Sequence, residues 1–171
     1  IYPDYIVGDF DSINKEDIKR LEIDSIRKFK YNCEKDSTDS DIAMEIALKM
    51  EFVEIYMMAM TGSRFDHSFA NLGLLCKAND AGAKAYIINE TNKIYLIEES
   101  SKIKKDNSYK YISFLAYCDK VENFNIKNAK YDLENYTLYL GDNRTVSNEF
   151  LEEDIEVEFT KGKILVIFSK D

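Results

Sequence analysis

The spacing of apolar residues changes near residue 92, and that change constrains the fold more than any other feature of the chain. Before it, short apolar runs alternate with stretches whose apolar positions recur every three to four residues, the rhythm of strands followed by helices. After it, Ile94 and Leu96, Tyr109 and Tyr111, Leu138 and Leu140, Ile155 and Val157, and Ile164, Val166 and Phe168 alternate with polar neighbours, as half-buried strands do. Lys105-Asp106-Asn107, Gly141-Asp142-Asn143 and Lys161-Gly162-Lys163 punctuate these runs as turns and leave no room for helices. The chain therefore reads as α/β followed by all-β. An N-terminal Rossmann-like parallel-sheet domain occupies residues 1–91, and a C-terminal antiparallel β-sandwich, with a barrel as the alternative, occupies residues 92–171.

In the front half, strands are expected at 5–7, 26–29, 52–59 and 85–88. Asn14 can cap a short helix over 15–20. Ile42, Ala43, Ile46, Ala47 and Met50 fall on one face of a second helix. A third is expected over 66–79 with Phe69, Leu72, Gly73 and Cys76 facing inward, ended by Gly82.

Composition narrows the function classes. The net charge of −9 and the lack of a basic stripe argue against nucleic acid as a partner. No apolar run is long enough to span a bilayer, so no membrane partner is expected. The three cysteines, Cys33, Cys76 and Cys118, are odd in number and widely spaced, which fits a reducing cytoplasm better than a disulfide framework.

Three acidic clusters sit where predicted strands give way to loops: Gly8-Asp9-Phe10-Asp11-Ser12, Lys35-Asp36-Ser37-Thr38-Asp39, and Thr61-Gly62-Ser63-Arg64-Phe65-Asp66-His67. Strand ends are where open α/β sheets build ligand sites, and carboxylates gathered there suit a magnesium–phosphate site. Each cluster also has a plainer reading. Asp9 and Asp11 are either a metal-binding pair or an Asx-turn with Ser12. Lys35 and Asp39 either meet a phosphate and a metal or flank a helix cap built by Thr38 and Asp41. Arg64 either grips phosphate or pairs with Asp66 on the surface, and His67 reads as a first-turn helix residue.

Taken in order, the clusters resemble the thiamine pyrophosphokinase (thiamin diphosphokinase) family. The resemblance rests on Asp4-x-Ile6-Val7-Gly8-Asp9-Phe10-Asp11-Ser12, on Lys35-Asp36-x-Thr38-Asp39, and on Gly62-x-Arg64-x-Asp66-His67-x-x-Ala70-Asn71. A fourth match is Val146-Ser147-Asn148-Glu149-Phe150. The chain lacks an initiator methionine and the family's opening strand with its Asp-Gly-Gly loop, read here as loss of upstream residues.

The resemblance implies transfer of pyrophosphate from ATP to the thiamine hydroxyl, giving thiamine diphosphate and AMP, with Mg²⁺ required. It implies Asp9, Asp11 and Asp39 as metal ligands and Lys35, Thr38 and Arg64 as ATP contacts. Asp66 would be catalytic, orienting the substrate hydroxyl or accepting its proton. Asp66, Asn71, Ser147 and Asn148 would lie on the thiamine side, in a homodimer whose sites are shared between subunits. The alternatives are a phosphohydrolase or glycosyltransferase using the same acidic loops, and a thiamine or nucleotide sensor without turnover.

Overall fold

The computed structural model describes residues 3–8, 26–30 and 38–171. The expected helix over 15–20, Cys33, and the candidate site residues Asp9, Asp11 and Lys35 lie outside the described residues. Two compact units emerge, Ile1–Glu51 and Phe52–Asp171.

In the first unit, β1 (Tyr5–Gly8) and β2 (Arg27–Lys30) pair in parallel, with Tyr5 opposite Arg27 and Val7 opposite Phe29. The Tyr5 and Phe29 rings stack at 5.9 Å. Helix α1 (Asp39–Lys49) begins where the Thr38 hydroxyl oxygen accepts a hydrogen bond from the Asp41 backbone N–H at 3.2 Å. Asp39 and Asp41 in its first turn and Lys49 in its last complement the helix dipole. Ile42 and Met44 are its buried residues, whereas Ala43 is exposed, so the inward face is rotated from the one the spacing suggests.

The second unit opens with a parallel pair, β3 (Glu54–Met58) and β4 (Lys84–Ile88), joined by helix α2 (Phe65–Asp80). The α2 residues that are buried are Leu74, Leu75 and Ala78, while Phe69 and Gly73 are exposed. Leu72 and Cys76, also expected inside, are half-buried, and the more deeply buried stripe was missed because it carries the polar Asn71. Gly82 ends the helix with φ +80°. Its N–H bonds to the Asn79 carbonyl and that of Ala83 to Ala78, a Schellman closure.

The sheet runs straight through the periodicity change. Strand β4 pairs antiparallel with β5 (Asn92–Ile97), β5 with β11 (Ile164–Ser169), and β11 with β7 (Tyr111–Ala116). The resulting five-stranded order is β3-β4-β5-β11-β7. A second, antiparallel sheet has the order β6-β10-β8-β9, from β6 (Ser101–Ile103), β8 (Lys120–Lys127), β9 (Leu133–Tyr139) and β10 (Ile155–Glu158).

One apolar core joins both sheets. Phe114 and Phe168 from the first and Val121, Phe124, Leu138 and Val157 from the second are almost fully buried. The Phe114 and Phe124 rings meet edge-on at 6.0 Å across the layers. Gly162, with φ +133°, lies so close to Val121 that an added Cβ would stand 2.9 Å from the Val121 Cα. No helix among the described residues is long and apolar enough to cross a membrane.

Candidate active site

The loop between β3 and α2 carries the third acidic cluster, and its course is fixed by side chains. Asn71 donates from Nδ2 to the Met60 carbonyl at 2.8 Å, holding the end of the strand. Ser68 accepts the Gly62 N–H at 3.1 Å and donates to the Arg64 carbonyl at 3.2 Å. Arg64 is the N-cap of α2, but no side chain caps the helix. Its guanidinium grips Asp66 at two points, Nη2 to Oδ2 at 2.6 Å and Nε to Oδ1 at 3.3 Å.

Both partners of that pair are exposed, with side-chain exposures of 69% and 65%. The hydrogen bond from Arg64 holds the Asp66 carboxyl below the usual carboxylate range, and Asp66 in turn raises the guanidinium pKa. A carboxylate so placed is a weak base and a good orienting group. It also keeps Arg64 extended toward solvent, where a phosphate could exchange for it. His67 is exposed in the first turn of α2.

Asp39 is likewise exposed at the start of α1, beside the Thr38 cap. Thr38 accepts the cap bond through its oxygen, which leaves its hydroxyl hydrogen to donate. Among the described residues no three His, Cys, Asp or Glu side chains gather as a metal cage. Mg²⁺ asks for less, since one or two carboxylates and the substrate's phosphate oxygens satisfy it. The exposed Asp39 carboxylate is a hard-oxygen donor of that kind.

The fourth motif forms a turn beside β7. Asn148 bridges to Ile112 with paired 2.8 Å backbone bonds, and Thr145 is buried and donates its hydroxyl to the Phe114 carbonyl. Between them Ser147 is exposed with φ 58°, and its N–H donates to the Ser113 hydroxyl at 2.9 Å. Asn148 is 3% exposed. Its Oδ1 accepts from the backbone N–H groups of Tyr131 at 3.0 Å and Glu149 at 2.9 Å, and its Nδ2 donates to the Tyr131 carbonyl at 2.8 Å. Asn148 thus shapes the turn, and Ser147 is the side chain the turn displays.

These two loops lie at the same end of the sheet but at opposite edges. Met58 pairs with Ile88, Ile88 with Lys93, Lys93 with Phe168, Phe168 with Ile112, and Ile112 with Asn148. At ~4.8 Å per strand, those successive neighbours put the Ser147 turn about 24 Å along the sheet from the end of β3.

Residues 1–87 match the family model for "Thiamin pyrophosphokinase, catalytic domain", and residues 100–164 match that for "Thiamin pyrophosphokinase, vitamin B1 binding domain". The chain belongs to the thiamin pyrophosphokinase family. A thiamine pyrophosphokinase of Bacillus subtilis is 33% identical over 172 residues, covering 100% of this chain and 80% of that protein. The crystal structure of thiamine pyrophosphokinase from Bacillus subtilis aligns with a TM-score of 0.93 at 31% identity, over 99% of this chain and 79% of that one. Thiamin pyrophosphokinase from Geobacillus thermodenitrificans aligns with a TM-score of 0.89 at 28% identity, over 99% of this chain and 78% of that one.

Within that family frame, sequence reading missed the supports. Ser68, Ser113 and Asn89 hold the displayed loops from neighbouring elements, and nothing in their spacing announces it.

Proposed function

We propose that the chain works as a thiamine pyrophosphokinase in thiamine diphosphate biosynthesis, and that its loops divide the work as follows. The hydroxyl oxygen of thiamine attacks the β-phosphorus of ATP, its proton passes to water, the bond from that phosphorus to the AMP oxygen breaks, and thiamine diphosphate and AMP leave. Such a transfer asks little covalent help of the protein and much positioning and charge neutralisation.

Arg64, Lys35 and Thr38 contact the ATP phosphates. Arg64 supplies a planar, two-point donor, and Thr38 supplies its free hydroxyl hydrogen. Asp9, Asp11 and Asp39 would hold Mg²⁺, whose chemistry when bound is to offset the negative charge of the phosphate oxygens. Asp66 orients the attacking hydroxyl once phosphate draws Arg64 away, its low basicity favouring orientation over proton removal. Asn71 buttresses this side from α2, and Ser147 faces thiamine from the turn that Asn148 builds.

The finer architecture follows the same division. We read the N-terminal part, 1–91, as a Rossmann-like, nucleotide-binding parallel-sheet domain, and 92–171 as a thiamine-binding β-sandwich. The distance of about 24 Å along the sheet between the β3 loop and the Ser147 turn is too long for one thiamine to bridge within a chain. A homodimer in which each Ser147 turn serves the partner's phosphate loop resolves this. The free thiols of Cys76 and Cys118 suit a cytoplasmic location.

The observation that carries the reading is that one chain matches both the catalytic and the vitamin B1 binding parts of the family. The test is chromatographic, with the protein incubated with thiamine, ATP and Mg²⁺. Equimolar AMP and thiamine diphosphate are expected. ADP or phosphate released regardless of thiamine would overturn the reading in favour of a phosphohydrolase, and thiamine binding without turnover would favour a sensor.

A further inference from the structure

Of the side chains that hold residues 60–64, Asn71 and Ser68 belong to α2, the helix that follows. A third tether comes from elsewhere. Asn89, just past β4, donates from Nδ2 to the Thr61 hydroxyl oxygen at 2.8 Å. Its other end is committed to the turn into β5, where Oδ1 accepts the backbone N–H groups of Thr91 at 2.9 Å and Asn92 at 2.7 Å. The Asn92 side-chain amide adds a donor at 3.2 Å, and the Asn89 backbone N–H closes the turn on the Asn92 carbonyl at 2.9 Å.

Those backbone donors decide which end of the carboxamide is oxygen, since a nitrogen there would face two N–H groups. The β4–β5 turn therefore aims an N–H at Thr61. We infer that Asn89 is a positioning residue for pyrophosphoryl transfer, setting through Thr61 where the loop presents Arg64 to the triphosphate.

This rests on the reading of Arg64 as a phosphate ligand. Arg64 is exposed and its side chain is paired with Asp66 in the first turn of α2, so its location follows the backbone that carries it. Asn71 and Ser68 tie that backbone to the helix that follows it. Asn89 ties it to the sheet, and a misplacement of a positioning group by about 1 Å can cost as much as a hundredfold in rate.

Thr61→Val removes the acceptor at nearly constant shape, Thr61→Ser keeps it, and Asn89→Asp keeps the turn while letting the Thr61 hydroxyl donate instead. In steady-state assays of the full chain with thiamine and Mg²⁺, Thr61→Val should raise the KM for ATP about fivefold, roughly the worth of one hydrogen bond, and move the KM for thiamine less. Thr61→Ser and Asn89→Asp should stay within about twofold of the parent, with Tm nearly unchanged in all three variants. In an Arg64→Ala background, Thr61→Val should have no further effect.

Two results would overturn the inference: an undiminished Thr61→Val effect in that background, or losses in Thr61→Ser and Asn89→Asp equal to those in Thr61→Val. Either would make the bond merely structural. If Arg64→Ala alone leaves the KM for ATP unchanged, the phosphate reading of Arg64 fails first, and that outcome is visible separately from any effect at Thr61.

Discussion

The Ser147 turn and the Arg64 loop stand at opposite edges of the same sheet, and they are built in opposite ways. The turn is set from beneath. Asn148 is buried with its amide shared among backbone groups, and its backbone is bridged to Ile112, a member of the joint core of the two sheets. The Arg64 loop is set from its rim by the side-chain tethers Asn71, Ser68 and Asn89, and its charged groups remain in solvent. A segment that recognises a defined organic ring can be rigid and dry. On the proposed division of work, the Arg64 loop exchanges a carboxylate for phosphate and so has to keep its charges exchangeable, because desolvated pairs are costly to break.

That contrast can be broken by mutation, and the largest effect should come from the core under the turn. Phe114→Ala removes a fully buried ring that bridges the layers and should cost about 3–5 kcal/mol of unfolding free energy, measured by denaturant titration. A loss under about 1 kcal/mol would mean that the layers do not share a core. Asn148→Ala should come next, at about 2 kcal/mol, since the backbone N–H groups of Tyr131 and Glu149 lose their side-chain acceptor. It should also raise the KM for thiamine more than that for ATP. An equal rise in both would deny the turn a separate role.

The smallest stability effect belongs to Asp66→Asn. The Asp66 pKa is lowered in the folded chain by Arg64, so any stability it contributes is present above the ordinary carboxylate pKa. It is lost as pH falls through the lower folded value. Because the pair is exposed, parent and variant should unfold together at pH 7 as well as in acid, whereas turnover should fall. A marked stability loss near neutral pH would show that the Arg64–Asp66 pair is structural.

How legible these regions were in the sequence follows from the same contrast. The antiparallel half announced itself through period-two alternation, because its strands have one face on a shared core. Ile155, Val157, Ile164, Val166 and Phe168 are all buried as that pattern requires. The two helices among the described residues were legible in existence but only partly in face. The buried stripe of α2 passes through Leu74, Leu75 and Ala78 near Asn71, whose amide is satisfied by a carbonyl, so polarity hid the stripe.

The exposed candidates Arg64, Asp66 and Ser147 could be singled out as motifs because the chemistry proposed for them lies in their own side chains. Asn89 could not. Its part depends on a hydrogen bond to Thr61, 28 positions earlier, and single-chain spacing contains no signal for that. Asn148 stood out in the motif, yet its burial and its grip on Tyr131 emerge only from the fold.

The claim that the two edges serve one site through a second copy can be tested by mixing subunits. Arg64→Ala removes the guanidinium of the proposed phosphate loop, and Ser147→Arg places a bulky cation where the cationic thiamine ring would approach; each variant alone should turn over measurably but far below a quarter of the parental rate. In a twofold dimer with shared sites, subunit exchange should restore about a quarter of parental turnover, because half the dimers are mixed and each of those has one intact site. Turnover that stays at the level of the separate variants after demonstrated exchange would contradict the shared site and return both loops to a single chain.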